Sequence, residues 1–364
     1  MWIAPTKSPL PIYNPLYSLR NGKHLRVDDF VVALYFKRFE KLMSQWQPKV
    51  IVSVFPTGAE FAASYKSHTD PNVFLCTIIT DVVASWEWIH PQTDCYGVPT
   101  MSVRSKMLEK NIPEEQLYVI GVPVKREHVH LSDIAKENKN ATPSDFKSSR
   151  ARILLVGSAM GRLSITDLFL EFIDGCNADF DIVTGKDHAL YNHLTNMTLP
   201  RNVALTGFAT DLPERMRLAD IIVTKPGGAT LFEAIEHELP LIAFRSSVAQ
   251  EGQNAKFIET EGIGLCYRSE MQLIETLRAI LDNPHQLKQM KANMQTIKKQ
   301  MDLDRLAEKV IIQVNCEQTH SEKSLDKPLV KRRKSTMNWM EKEYVNEVRN
   351  LSQAFKARRI SNRK

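Results

Sequence analysis

The sequence lacks the features that mark membrane-spanning, secreted and disulfide-stabilised proteins. No apolar run in its 364 residues reaches the ~18 residues of a membrane-spanning helix. The first residues, beginning Met1-Trp2-Ile3, show no basic region followed by an apolar core, so we expect no secretory signal there. The five cysteines are scattered, odd in number and without a Cys-x-x-Cys pair. This usage fits a reducing compartment and argues against a zinc cage or a disulfide framework.

Composition places the chain among globular proteins rather than disordered ones, because 43% of its residues are hydrophobic and 25% are charged. The length predicts two domains. The net charge of +6 favours an anionic partner, such as a lipid head group, a nucleotide or a nucleic acid, without selecting one of them. No nucleic-acid recognition motif accompanies this charge, so we do not expect nucleic acid as the partner.

The most informative stretch runs from Asp220 to Pro240. Its residues 221–223 are apolar and β-branched, which is typical of a buried strand, and Lys225-Pro226-Gly227-Gly228 interrupts them. Residues 229–238 then favour a helix that Pro240 ends, and residues 241–244 resemble the next buried strand. Strand, glycine turn, helix and strand together predict a parallel crossover unit.

The glycine turn suits a phosphorylated ligand. Gly227 and Gly228 remove the side chains that would keep a ligand from the backbone. The following helix offers unpaired N–H groups and the positive end of its dipole, which favour a phosphate or diphosphate. Glu233, one turn into the helix, can accept two hydrogen bonds from a ribose diol. The alternative is purely structural, because Thr230 and Glu233 also fit a capping box, and two glycines fit any tight turn.

A polar segment follows the next predicted strand and opens another helix. It contains Gln250, Glu251 and Asn254. Polar loops at the carboxyl ends of parallel strands are where open α/β sheets bind their ligands. These residues therefore add to the candidate site.

At this point the sequence resembles a known family. The pattern Lys-Pro-Gly-Gly-x-Thr-x-x-Glu-Ala, followed by Pro-Leu and then Gln-Glu-x-x-Asn-Ala, is similar to the donor half of GT-B glycosyltransferases. The nearest branch holds the processive diacylglycerol glucosyltransferases and the monogalactosyldiacylglycerol synthases. The lipid-II-forming N-acetylglucosaminyltransferase is a more distant relative. The resemblance implies an α/β fold with two Rossmann-like domains facing a cleft.

The resemblance also predicts how the chain is divided. We expect residues 1–135 to form the acceptor-side Rossmann-like domain and residues 136–149 to form a polar linker. Residues 150–316 are expected to bind the nucleotide sugar, and residues 317–364 to form a basic tail with an amphipathic helix. The family opens with an apolar strand and a Gly-x-Gly-His loop, for which we find no counterpart here. The first domain is therefore expected to be incomplete, either because the chain is truncated or mis-started or because the element is lost.

Asp81 is the candidate catalytic residue. It follows an apolar run over residues 73–79, and an acid at the carboxyl end of a central strand points into the cleft of an open sheet. The family's Thr-Asp-x-x-x-His-x-x-Trp-x-x-x-x-x-Asp-x-Tyr is matched by Asp81, Trp88, Asp94 and Tyr96, with Ser85 in place of the histidine. The resemblance implies that Asp81 deprotonates an acceptor hydroxyl. The alternative is that Asp81 caps a helix or turn.

The resemblance assigns roles on the donor side residue by residue. Gly227, Gly228 and Thr230 would hold the diphosphate, Glu233 the ribose, Gln250 and Glu251 the sugar hydroxyls, Gly157 the donor sugar or diphosphate, Phe208 the uracil ring, and Asn254 either the loop itself or a phosphate. We expect no metal or other cofactor, because a helix end takes the place of the metal. Asp179-Phe180-Asp181 superficially suggests a metal site, but it precedes its predicted strand and so lies at the wrong edge of the sheet.

A basic cluster over residues 331–334 precedes a predicted amphipathic helix with apolar residues between 337 and 355. We favour packing of this helix on the first domain. The alternative is a helix that lies on an anionic membrane surface.

The resulting hypothesis is an inverting glycosyltransferase. It would move a hexose from UDP-glucose or UDP-galactose to diacylglycerol or a glycolipid, as a cytoplasmic protein bound peripherally to the inner face of the cell membrane. One alternative is a relative that keeps UDP-sugar binding but has lost catalysis and acts as a sensor or partner subunit. Another is a nucleotide-sugar 2-epimerase, against which the sparse acids of the first domain argue.

Overall fold

The computed structural model describes residues 29–129, 150–157, 165–245 and 249–321. Contacts divide the chain into a larger unit, which includes residues 48–310, and a smaller unit, whose described residues are 29–47 and 311–321. The helix α1, Asp29–Trp46, belongs to the smaller unit. The larger unit contains both β-sheets and every site residue discussed below.

The first sheet has four parallel strands in sequence order. They are β1 (Val50–Ser53), β2 (Phe74–Ile78), β3 (Cys95–Val98) and β4 (Leu117–Val119), with the helices α2 (Pro56–His68) and α3 (Met101–Leu108) between them. Four of the five residues of β2 are buried, as expected for a strand covered on both faces. Thr100 caps α3 by accepting a hydrogen bond from the N–H of Val103.

The second sheet has six parallel strands in the order β10-β9-β8-β5-β6-β7. They are β5 (Ala151–Val156), β6 (Ala178–Val183), β7 (Val203–Thr206), β8 (Ile221–Thr224), β9 (Leu241–Phe244) and β10 (Gly264–Tyr267). The helices of this half are α4 (Asp167–Asp174), α5 (His188–Thr195), α6 (Leu212–Leu218), α7 (Gly228–Glu236), α8 (Ala249–Thr260), α9 (Glu270–Leu281), α10 (Pro284–Lys298) and α11 (Leu303–Ser321).

The strand order reverses between β5 and β8. From β5 the chain builds outward through β6 and β7, then returns to the other side of β5 to place β8, β9 and β10. Ligands of open α/β sheets bind outside the carboxyl ends of the strands at such a reversal. Gly157 directly follows β5, and Lys225-Pro226-Gly227 directly follows β8. The fold therefore places two of the predicted ligand segments at its switch point.

Both halves contribute to one apolar core. Trp88 and Tyr96 of the first half belong to the same cluster of buried side chains as Leu231 and Phe232 of α7. The two parallel sheets and their covering helices confirm the predicted α/β architecture with two Rossmann-like halves. Within the described ranges, no helix is long and apolar enough to span a membrane.

The chain returns to the first sheet directly after α10, before the helix at 337–355 that was expected to pack on the first domain. The N–H of Asp302 donates a hydrogen bond to the carbonyl of Val119 at 2.9 Å, and Leu306 of α11 packs with Ile120. The helix α11 was not predicted from the sequence. The helix predicted between 337 and 355 and the linker predicted at 136–149 lie outside the described residues.

Candidate functional site

The first turn of α7 is pressed against the end of β2. Gly227 is the N-cap residue and Gly228 the first helical residue. A Cβ added to Gly228 would lie 1.9 Å from the carbonyl oxygen of Thr80, a distance that no side chain tolerates. The sequence predicted that this missing side chain makes room for a ligand. The structure instead uses it to bring the backbones of the two halves together.

Asp81 caps α7 from the opposite half. Its carboxylate accepts a hydrogen bond from the N–H of Gly228 and another, 2.9 Å long, from Nδ2 of Asn254. Burial raises the pKa of Asp81, while these two hydrogen bonds oppose the rise because they favour the charged form. A carboxylate at the positive end of a helix is a stabilising arrangement. The position of Asp81 beside the first turn of α7 is compatible with the capping alternative, and its catalytic role stays a prediction.

Asn254 ties three segments together and is fully buried. Its Nδ2 donates to the carbonyl oxygen of Pro226 at 2.9 Å as well as to Asp81, and its Oδ1 accepts from the N–H of Val82 at 2.8 Å. These bonds connect α8 to the turn after β8 and to the end of β2. Of the two roles that the sequence allowed, this arrangement fits the steadying of the loop, because both amide atoms are engaged within the protein.

Lys225 lies beside this cap and was missed by sequence analysis. Its Nζ is 3.0 Å from Oε1 of Glu251, and both side chains are largely buried. Lys225 favours the charged form of the Asp81 carboxyl, whereas Glu251 disfavours it. The position of Lys225 immediately before Pro-Gly-Gly was the available signal, because it places a cation next to a helix N-terminus.

Gln250 reaches across to the first half. Its Nε2 donates a hydrogen bond to Oε1 of Glu87 at 3.1 Å, and the hydroxyl of Ser85 donates to the same oxygen at 3.0 Å. Glu87 is a buried carboxylate. Ser85 stands where the resembled family has histidine, and here its hydroxyl supplies a hydrogen bond to the carboxylate of Glu87. The predicted contact of Gln250 with sugar hydroxyls stays a prediction.

Two histidines that sequence analysis missed lie near Glu233: His128 is next to its carboxylate, and His237 is next to His128. Oε1 of Glu233 lies 3.4 Å from Nε2 of His128, and Nδ1 of His128 lies 2.9 Å from Nε2 of His237. Burial lowers the pKa of both rings, and that of His237 falls to about 4. His237 follows Glu233 by four residues, a spacing that puts both on one helical face. No local sequence pattern indicated that His128, in the first half, lies beside Glu233.

The far side of the site is formed by the ends of β5, β6 and β7. The N–H of Gly157 bonds to the carbonyl of Val183 at 2.8 Å, so Gly157 continues the sheet edge. Gly185, just beyond β6, has a φ of 63°, a conformation that favours glycine. Phe208, just beyond β7, is 65% exposed, and the ammonium of Lys186 lies 5.9 Å from the centre of its ring. An exposed aromatic ring is thus available at the predicted base-binding position.

Comparison with known proteins assigns both halves to related families. Residues 6–124 match the model of monogalactosyldiacylglycerol (MGDG) synthase, and residues 167–309 match the model of the glycosyltransferase family 28 C-terminal domain. Both halves of the chain therefore match models of glycosyltransferase families. A processive diacylglycerol beta-glucosyltransferase of Bacillus cytotoxicus is 29% identical over 266 residues, which are 72% of this chain and 67% of that protein.

Solved structures share the fold of this glycosyltransferase. MnaA of S. aureus, determined with UDP, has a TM-score of 0.56 at 13% identity and covers 85% of this chain and 86% of its own. MurG of Acinetobacter baumannii has a TM-score of 0.54 at 13% identity, and the alignment covers 75% of each chain. At this identity the likeness concerns the fold alone. The GT-B fold predicted from the sequence is confirmed.

The aspartates of β6 in this glycosyltransferase make ion pairs. Nη1 of Arg215 lies 2.7 Å from both carboxylate oxygens of Asp181, and Arg150 pairs with Asp179 at 3.2 Å. Both aspartates lie within β6 rather than before it, which corrects the predicted start of that strand. In the part of the chain that the structure describes, no group of three or more histidine, cysteine, aspartate or glutamate side chains is placed to hold a metal ion.

Proposed function

We propose that this glycosyltransferase transfers glucose or galactose from a UDP-sugar to diacylglycerol or a glycolipid. The observation that carries the proposal is the position of the first turn of α7. This turn lies at the strand-order reversal of the second sheet and touches Asp81, the predicted base, on the first half. The proposed acceptor class follows the B. cytotoxicus relative, which is named as a processive diacylglycerol beta-glucosyltransferase.

The uridine end of the donor would bind along β7 and α7. The exposed ring of Phe208 offers a stacking surface for uracil, and base stacking on an aromatic ring contributes ~1–3 kcal/mol. The carboxylate of Glu233 would accept hydrogen bonds from the ribose hydroxyls. Lys186, near the ring of Phe208, adds positive charge on the same side.

The diphosphate would meet the first turn of α7 beyond its cap. Because Asp81 takes the N–H of Gly228 and the N–H of Gly227 bonds to the carbonyl of Lys225, the phosphate ligands we propose are the backbone at residues 229–230 and the hydroxyl of Thr230. Gly227 leaves space beside them, since a Cβ there would be 3.7 Å from its nearest neighbour, Cε of Lys225. The Lys225 ammonium and the helix dipole would supply the positive charge, so we propose that no metal is needed.

Binding of the donor sugar would exchange protein partners for sugar hydroxyls. Gln250 and Glu251 are held by Glu87 and Lys225. A sugar that enters between them would replace these contacts with hydrogen bonds of similar strength. Such an exchange costs little when every buried polar group keeps a partner.

The acceptor would enter beside Asp81. A cavity of about 560 Å³ begins at the next residue, Val82, and is lined by residues 82–86, by residues of the first half that include Lys106 and Lys110, and by Gln253 of α8. The ammonium of Lys110 lies 4.0 Å from the centre of the Trp86 ring at its wall. Asp81 would remove the proton of the acceptor hydroxyl, and its raised pKa makes it a stronger base than an ordinary aspartate.

A single displacement on an α-linked nucleotide sugar gives a β-glycoside, so the proposed enzyme inverts the configuration. The lipid acceptor places the reaction at a membrane surface, and we propose peripheral binding at its cytoplasmic face. The net charge of +6 and the basic cluster at 331–334 support attraction to anionic lipids.

The test combines binding and transfer. Purified protein is titrated with UDP in the presence of a chelator, and radiolabelled UDP-glucose and UDP-galactose are supplied with diacylglycerol vesicles. We expect UDP to bind and one labelled sugar to enter the lipid fraction as a β-glycoside. An absence of UDP binding would overturn the donor site, and dependence of transfer on added divalent metal would overturn the metal-free mechanism.

A second candidate is a UDP-sugar-binding relative without transferase activity. The observation that favours it is the engagement of Asp81 by Gly228 and Asn254, together with Ser85 in place of the family's histidine. UDP binding without transfer to any of the lipid acceptors would support this candidate over the first.

A further inference from the structure

Three side chains form a line from the first half of the protein to the donor side. His128 lies on a helical turn at residues 126–129, beyond the last strand of the first sheet, and its side chain is buried. Its Nε2 is 3.4 Å from Oε1 of Glu233, and its Nδ1 is 2.9 Å from Nε2 of His237. Glu233 and His237 both belong to the α7 segment. One imidazole of the first half therefore bridges two groups of the second half.

The hydrogen-bonding capacities of the three groups select one arrangement. A carboxylate only accepts, so Nε2 of His128 has to carry the proton that faces Glu233. In a neutral His128 ring, Nδ1 is then an acceptor, and Nε2 of His237 has to donate to it. Burial lowers the pKa of both rings, which keeps them neutral near pH 7. The favoured arrangement therefore has His237 donating to His128 at 2.9 Å, while the N–H of His128 faces Oε1 of Glu233 at 3.4 Å.

The end of this line lies against one oxygen of the Glu233 carboxylate. We propose that His128 is a positioning residue for the nucleotide donor: it holds Oε1 of Glu233 so that the carboxylate is oriented for two vicinal hydroxyls of the ribose. The inference rests on the proposed role of Glu233 in binding the donor. It adds that ribose recognition in the second half depends on a residue of the first half.

Preorganisation is the physical reason for the effect. A glutamate side chain that is free to rotate loses conformational entropy when it binds a diol, whereas a side chain already held by a donor loses less. The atom of Glu233 paired with His128 is Oε1, at 3.4 Å, and in the proposed arrangement the ribose hydroxyls bind at the other oxygen. Acidic and basic groups near the ring (Lys125, Glu127 and Glu236) contribute smaller electrostatic effects than burial and Glu233.

The test compares two nucleotides and two substitutions at His128. His128→Leu removes both nitrogens, whereas His128→Gln keeps an N–H near the position of Nε2. UDP and 2′,3′-dideoxy-UDP are titrated into the full chain, and the ligand-free melting temperature is recorded. We expect His128→Leu to weaken UDP binding about tenfold, which corresponds to ~1.4 kcal/mol. It should leave dideoxy-UDP binding unchanged, and His128→Gln should bind UDP within about threefold of the wild type, a difference of less than 1 kcal/mol.

The dideoxy nucleotide separates positioning from general damage. If His128→Leu weakens both nucleotides equally, or neither, the inference is overturned. If wild-type protein binds no UDP, the proposed function fails first, and the two failures are therefore distinguishable. His237→Phe, which removes the donor to His128, should show a smaller loss with the same dependence on ribose hydroxyls, and it carries the test should His128→Leu not fold. His285→Leu, an exposed position at the start of α10, is the matched control and should change neither affinity.

Discussion

The carbonyl oxygen of Thr80 occupies the space where a side chain on Gly228 would begin. The two residues belong to different halves, and their backbones approach so closely that a Cβ on Gly228 would lie 1.9 Å from that oxygen. The next residue, Asp81, accepts a hydrogen bond from the N–H of Gly228. The predicted base and the predicted phosphate-binding helix are thus in direct contact, and each constrains what the other can do.

This contact predicts different outcomes for the two glycines of the turn. Gly228→Ala should lower the free energy of unfolding by ~1–3 kcal/mol or more, the usual cost of overpacking, because backbone rather than a flexible side chain opposes the new methyl group. Gly227→Ala is the matched control, since its Cβ would meet nothing closer than 3.7 Å. Urea denaturation measures both variants. Equal effects would contradict the close approach of Thr80.

Substitutions of Asp81 separate capping from catalysis. Asp81→Asn keeps an oxygen for the N–H of Gly228, so its melting temperature should stay near that of the wild type. A general base contributes ~10²–10⁴-fold to a rate, so the same variant should lose that factor in kcat. Asp81→Ala should in addition lose ~1 kcal/mol of stability with the cap. Full turnover by Asp81→Asn in the vesicle assay would limit Asp81 to its capping role.

His237 makes stability depend on acidity. Its pKa is about 4 in the folded protein, mainly because of burial, against an ordinary value of 6.5. The neutral ring is therefore favoured by folding, so its contribution is complete above pH ~6.5 and is lost as the pH falls toward 4. His128, whose pKa is also lowered, shifts stability in the same direction. The titratable and charged groups that act on the His237 ring are His128, Lys298, Arg217 and Glu214.

We expect the free energy of unfolding to fall between pH 7 and about pH 4.5, and His237→Asn to flatten that decline because it removes the titrating ring. Urea denaturation at several pH values measures both slopes. The substitution His285→Asn, at an exposed position at the start of α10, is the matched control. A His237→Asn slope as steep as that of the wild type would mean that the ring titrates normally.

Substitution of Phe208 is expected to weaken UDP binding without changing the stability of the protein. Because its ring is 65% exposed, Phe208→Ala should leave the melting temperature nearly unchanged. Loss of base stacking should weaken UDP binding by ~1–3 kcal/mol. Leu218→Ala, an exposed apolar position on α6, serves as the control for titration calorimetry. If inorganic diphosphate loses as much affinity as UDP in Phe208→Ala, the ring does not contact the base.

The local sequence pattern was sufficient to predict the strands and the helix around the site. The sequence predicted a strand at 221–223, a helix at 229–238 and a strand at 241–244, and the structure has β8 at Ile221–Thr224, α7 at Gly228–Glu236 and β9 at Leu241–Phe244. These elements alternate apolar runs with glycine and proline breaks, so each is determined within a few neighbouring residues. The same applies to the parallel crossover that places Gly227 and Glu233.

Partners distant in sequence were beyond such reasoning. Nothing near His128 indicates that it meets Glu233, and nothing near Glu87 indicates that it receives Gln250. Asn254 was singled out, but whether its amide serves the protein or a phosphate depends on Val82 and Pro226, which only the fold brings together. Residue types at a site are thus readable from a sequence, whereas their hydrogen-bond partners require the tertiary structure.

The shared core has a consequence for protein engineering. Because buried side chains of both sheets belong to one apolar cluster, a cut between the sheets would expose that surface on both fragments. A chimera that takes its second half from a relative with another donor sugar also receives that relative's version of α7. The first turn of this helix is shaped to fit the residues that it contacts in the first half. Thr80, Asp81 and His128 therefore have to be transplanted with the donor half, although all three lie on the acceptor side of the chain.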